Sequence, residues 1–137
     1  MRTALDTNIL SALWSREPLA QTIAARLGTA RGDGGLVISP VVFAELLAYP
    51  KATEGFLVDF LAATGITVDF VLPEKVWLEA GRRFASYASH RRKSSKEGPQ
   101  RLLADFIVGA HAMMQADRLM TLDPVRYQQY FPELHQF

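Results

Sequence analysis

Four carboxylates stand where a soluble domain seldom places charge: Asp6 after Thr3-Ala4-Leu5, Glu45 inside Val41-Val42-Phe43-Ala44-Glu45-Leu46-Leu47, Asp105 between Leu102-Leu103-Ala104 and Phe106-Ile107-Val108, and Asp123 after Leu119-Met120-Thr121-Leu122. An unpaired buried carboxylate is costly, and two held about 4 Å apart repel by about 4 kcal/mol at an effective dielectric near 20. Several together call for a cation. The chain has no cysteine, which removes thiol nucleophiles, iron–sulfur clusters and thiolate zinc sites and leaves oxygen and imidazole donors. Oxygen-only ligands suit a hard ion such as Mg²⁺ or Mn²⁺, which keeps part of its water and meets a phosphate through open positions.

Each acid also has a plainer reading. Asp6 is placed to cap a helix that starts near Asn8, and Asp123 followed by Pro124 has the form of an N-cap with proline at the first helical position. Capping and metal binding are compatible. For Glu45 and Asp105 the plainer reading is a solvent-facing position, but Glu45 has no polar face among its neighbours and Asp105 lies in a nearly all-apolar helix, which calls for a partner or a ligand. His111 is six positions after Asp105, about 600° around a helix, so the two do not form a ligand pair. It reads as a hydrogen-bonded core histidine. His90 and His135 support neither a metal site nor a catalytic triad. The patterns G-x-S-x-G, G-x-x-x-x-G-K and G-x-G-x-x-G are missing from the sequence, which excludes the serine-hydrolase, P-loop and dinucleotide fingerprints.

The elements that must position these acids alternate between strand and helix. Thr3 to Leu5 and Leu36 to Ser39 read as buried strands, Ile66 to Leu72 as a β-rich stretch, and Leu119 to Thr121 as a last strand. Helices are expected from Asn8, over Leu19 to Leu27, from Pro40 over Val41 to Ala48, after the cap Thr53 up to Gly65, from Pro73 through Phe84, and over Leu102 to Met114, with a turn or short helix around Pro124 to Tyr130. Ser89 to Pro99 has no apolar periodicity and reads as a mobile loop. Such alternation implies an α/β fold, a central parallel sheet with helices on both faces, in which sites form at the strands' carboxyl ends. Asp6 and Asp123 stand at that end.

At 137 residues, with 49% hydrophobic and 21% charged residues, the chain fits one globular domain over 1–137 and excludes collagen-like and disordered classes. No secretory signal or membrane span is read in it, so a cytoplasmic protein without membrane association is expected. The net charge is +1, but Arg82 to Arg101 holds seven basic residues against Glu97, a strip of +6 set on a remainder of −5. A polyanion is one partner for such a strip, and a solvated face is the plain alternative.

Four segments in order carry a resemblance: Asp6-Thr7-Asn8-Ile9-Leu10 after the first strand, Ser39-Pro40-Val41-Val42-Phe43-Ala44-Glu45-Leu46, Ala104-Asp105-Phe106-Ile107-Val108-Gly109-Ala110-His111-Ala112, and Met120-Thr121-Leu122-Asp123-Pro124. Along essentially the whole chain their order and spacing closely resemble the PIN-domain ribonucleases, and at this length the VapC-type toxins of toxin–antitoxin pairs. The resemblance implies a three-layer α/β/α fold, Mg²⁺- or Mn²⁺-dependent endoribonuclease activity, homodimers and neutralisation by a small antitoxin. It implies that Asp6, Glu45, Asp105 and Asp123 form a catalytic acidic metal site, with Thr7, Asn8 and Thr121 in supporting positions. Tyr127 stands where many relatives have Phe, a harmless departure on this reading. The basic loop falls in a region that the family varies.

On this reading RNA phosphodiesters are hydrolysed by a metal-activated water, with Arg91, Arg92 and Lys93 on the RNA backbone. Two alternatives remain. Asp6 at a strand end suits an aspartyl-phosphate phosphotransferase, although a second acid is usual two residues on and Asn8 stands there. The other is a non-catalytic RNA- or partner-binding module on the same fold.

Overall fold

The computed structural model describes residues 1–15, 18–94 and 100–137. Strands β1 (Thr3–Leu5), β2 (Leu36–Ile38), β3 (Ile66–Val68) and β4 (Arg118–Met120) form one sheet in the order β3-β2-β1-β4, parallel at every pairing. Helices α1 (Thr7–Trp14) and α2 (Ala20–Asp33) join β1 to β2, and α3 (Pro40–Leu46) and α4 (Glu54–Thr64) join β2 to β3. Helices α5 (Glu74–Lys93) and α6 (Leu103–Gln115) join β3 to β4, and α7 (Pro124–Gln128) follows. Parallel neighbours need long crossovers, and helical crossovers cover both faces of the sheet. The result is the expected three-layer α/β/α architecture.

Both central strands are buried at every residue, which is why they read as short apolar runs rather than alternating ones. The helices between them start and stop on local signals. Ser39 Oγ accepts from Val42 N at 3.3 Å with Pro40 at the first helical position, and Thr53 Oγ1 accepts from Phe56 N at 3.1 Å. Gly65 closes α4 at φ +72°, a conformation that favours glycine. Among the described residues no helix is long and apolar enough to cross a membrane.

Two expectations are corrected. The β-rich stretch Ile66 to Leu72 pairs only to Val68: Asp69 N still donates to Ile38 O, but Asp69 turns its side chain to Arg2 and His111, and Phe70 and Val71 are exposed. The segment read as a loop from Ser89 is helical as far as Lys93. Solvated arginines and lysines are good helix formers without an apolar stripe, and four basic or imidazole side chains in the last turn complement the carboxyl end of the helix dipole. The part of the expected loop at 95–99 lies outside the described residues.

Candidate active site

Asp6 is the first residue beyond β1 and Thr121 the first beyond β4. Since Leu5 pairs with Met120, the two stand side by side at the carboxyl edge of the sheet, where Asp6 N donates to Met120 O at 3.0 Å. Thr121 Oγ1 donates to Asp6 Oδ2 at 2.8 Å, the Tyr127 hydroxyl donates to the same oxygen at 2.9 Å, and Thr7 N donates to Oδ1 at 2.8 Å. Asp6 is buried, and burial raises its pKa; the three donors oppose the rise, the charge of Asp105 adds to it, and the net direction is up. Burial, together with the charge of Asp6, also drives the Tyr127 hydroxyl well above its ordinary range, so it remains a donor.

Thr121 is fully used. Its oxygen donates to Asp6 and accepts from Asp123 N at 3.1 Å and Asn8 Nδ2 at 3.4 Å, while Asn8 Oδ1 accepts from Leu122 N at 3.1 Å. Thr121 and Asn8 thereby hold the turn from β4 into α7, and Thr7 Oγ1 donates to Glu45 Oε1 at 2.6 Å across to α3. Glu45 is solvent-exposed, against the expectation drawn from its apolar neighbours: the seven-residue α3 buries only Val42 and Leu46 and turns Ala44 and Glu45 outward.

Asp105 occupies the first turn of α6, where its Oδ2 accepts from Leu102 N at 3.1 Å, the reciprocal half of a capping box. Its Oδ1 faces Arg126 Nη1 at 3.5 Å. Asp123 is the N-cap residue of α7, yet its side chain makes no cap bond; Oδ2 pairs instead with Arg126 Nε at 3.1 Å. Shared partners thus join all four acids: Glu45 to Asp6 through Thr7, Asp6 to Asp123 through Thr121, and Asp123 to Asp105 through Arg126. Among the described residues, however, no three carboxylates or imidazoles are gathered at the spacing of one metal ion.

The chemistry of the donor set fits a hard divalent ion. Its members are carboxylate oxygens, and the buried Asp6 carboxylate, with the charge of Asp105 beside it, sits under an electrostatic demand for a cation. Arg101, Asp105, Arg126, Tyr127 and Tyr130 line a small pocket at the start of α6. A larger pocket of about 680 Å³, lined by Leu13, Trp14, Tyr49 and Phe56 among others, contains none of the four acids.

The family model for the PIN domain matches residues 3–130. The chain belongs to the PIN domain family. Its fold is similar to that of a chain in the crystal structure of VapBC2 from Rickettsia felis bound to a DNA fragment from their promoter, with a TM-score of 0.73 and 20% identity over 100% of this chain and 98% of that one. It is also similar to a chain of VapBC-1 from nontypeable Haemophilus influenzae, with a TM-score of 0.68 and 23% identity over 100% of this chain and 97% of that one. At such identities the likeness is one of fold. Sequence comparison with curated proteins gives no match.

Two residues of this PIN domain's site escaped the sequence reading. Tyr127 is no neutral stand-in for Phe, because its hydroxyl is a direct partner of Asp6. Arg126 offered a faint signal, its spacing of three from Asp123 across the Pro124 helix start. His111, read as a core residue, is buried and lies 2.8 Å from Asp69 Oδ2. Of the basic strip, Arg82 and Arg83 are committed to Glu79, and Arg83 also holds Glu133 with both terminal nitrogens.

Proposed function

We propose that this PIN domain is a Mg²⁺- or Mn²⁺-dependent endoribonuclease that hydrolyses RNA phosphodiester bonds as the toxin of a toxin–antitoxin pair. The observation that carries the reading is the buried Asp6 carboxylate between the ends of β1 and β4, fixed by three donors and coupled to Asp105. A bound ion supplies an acidified water and neutralises charge that builds on the phosphate during attack. Asp6, Glu45 and Asp105 would hold it directly or through its waters, with Asp123 serving a second ion or orienting the first. Thr7 aims Glu45, Thr121 aims Asp6, and Asn8 keeps the β4–α7 turn in place.

Supporting RNA as the substrate, the basic end of α5 adjoins the start of α6. Arg91 stacks over the Tyr87 ring at 6.0 Å, the Tyr87 hydroxyl accepts from Arg101 N at 2.6 Å, and four residues on stands Asp105. Arg91, Arg92 and Lys93 would hold the strand by its phosphates and leave sequence choice to other contacts. Both similar folds come from VapBC assemblies, which supports a neutralising antitoxin chain; the same reading takes the toxin as a homodimer acting in the cytoplasm. An Asp6 nucleophile that accepts a phosphoryl group has less support, since Asn8, bonded to the β4–α7 turn, stands where such enzymes usually have a second acid. The test is cleavage of end-labelled RNA by the purified protein. Wild type with Mg²⁺ or Mn²⁺ should cut, whereas excess chelator, Asp6→Asn and Asp105→Asn should each abolish cutting; metal-independent RNA binding without cleavage would favour the non-catalytic module.

A further inference from the structure

Arg126 reaches into the acidic cluster from α7. Its Nε lies 3.1 Å from Asp123 Oδ2 and its Nη1 3.5 Å from Asp105 Oδ1. The second contact falls on a particular oxygen. Asp105 Oδ2 already accepts from Leu102 N in the helix cap, so Oδ1 is its less committed oxygen, and Arg126 stands against it.

The backbone of Arg126 is well anchored. Tyr127 is buried and bonded to Asp6, and Phe131 packs over Gly109 so closely that a Cβ there would stand 2.5 Å from its ring. The Arg126 side chain is 38% exposed, and its guanidinium is only loosely bound to Asp105. It can swing to solvent from a fixed base.

We propose that Arg126 is an internal counter-ion of this site that competes with a divalent metal ion for Asp105 Oδ1 and Asp123 Oδ2 and so sets the affinity for the ion. The proposal rests on the metal-dependent reading above. With Arg126 in place one positive charge is shared between two of the four carboxylates; with Arg126 displaced both are free to meet an ion. Partly exposed ion pairs are individually weak, on the order of 0.2 to 1 kcal/mol. Two of them correspond to an affinity penalty of about twofold to thirtyfold. Arg126 is a positioning residue here and touches no reacting atom.

The experiment is calorimetric titration of Mn²⁺ into the RNA-free protein as wild type, Arg126→Gln and Arg126→Lys, beside amide and side-chain NMR of the wild type during Mg²⁺ titration. Arg126→Gln should bind Mn²⁺ about twofold to thirtyfold more tightly, with Arg126→Lys in between, since it keeps the charge and loses the fork. In the wild type, exchange of the Arg126 Nε proton should speed up as Mg²⁺ saturates. Equal or weaker Mn²⁺ binding by Arg126→Gln would overturn the proposal while leaving the nuclease reading intact. If Arg126→Gln does not fold, an Arg126 Nε proton indifferent to Mg²⁺ would overturn it in the wild type alone. Failure of every variant to bind Mn²⁺ would overturn both.

Discussion

At Asp6 one side chain meets a main-chain N–H, a threonine hydroxyl and a tyrosine hydroxyl, and still carries a carboxylate that burial disfavours. Asp6→Asn nearly preserves shape, and the Tyr127 hydroxyl can reverse to accept from the amide. RNA cleavage should therefore fall by orders of magnitude while the melting temperature holds or rises, because a buried charge next to Asp105 is removed. A clear drop in melting temperature without metal would make Asp6 structural. Tyr127→Phe removes one donor to Asp6 and leaves Thr121 in place. It should cost about 1 kcal/mol or less in urea unfolding. It should also shift the acid limb of the pH–rate profile upward, because the Tyr127 bond holds the Asp6 pKa down. Asp6 was legible from the sequence since its apolar flanks and strand-end position are local. Tyr127 and Arg126 were not, because what matters is their meeting with residues more than twenty or a hundred positions away.

The elements were legible in type, and their ends depended on contacts that local patterns do not carry. α5 runs to Lys93 because its last turn is stabilised by helix formers and by the dipole, neither of which leaves an apolar stripe. β3 stops at Val68 because Asp69 is claimed by Arg2 and His111 from other elements. With Arg91, Arg92 and Lys93 on a helix turn, a triple alanine substitution should weaken RNA binding. It should also flatten the plot of log affinity against log salt by about 2, from about 0.7 per lost single-strand contact. Cleavage-site choice should stay unchanged. An unaltered salt slope would return this turn to a solvated face. Between α6 and the C-terminal segment the fit is tighter: Gly109→Ala should displace the Phe131 ring and destabilise by about 1 to 3 kcal/mol in thermal or urea unfolding.

Across the whole molecule, the core is built around a sheet with its acids at one edge and a second polar network elsewhere. Arg2, ahead of β1, donates from its backbone to Asp117 and from its side chain to Asp69, whose other oxygen faces His111 on α6. Burial lowers the His111 pKa, with Asp69 pulling the other way; for Asp69, burial acts upward but the bonds from His111 and Arg2 outweigh it, so its pKa is lowered too. In both cases the unfolded chain binds a proton more readily. The stability they contribute is present above the unfolded pKa values and is lost as pH falls, first through the histidine range and then through the carboxylate range. Melting temperature should therefore decline from neutral pH toward pH 5, and His111→Gln should flatten that decline; an unchanged slope in the variant would place the acid sensitivity elsewhere.

The central claim, that the acids at the carboxyl edge of the sheet cut RNA, is tested most directly by sequencing RNA ends after brief induction of the wild type beside Asp6→Asn. New, discrete ends should arise with the wild type alone, at equal protein levels. The same ends in both strains, or none in either, would contradict it.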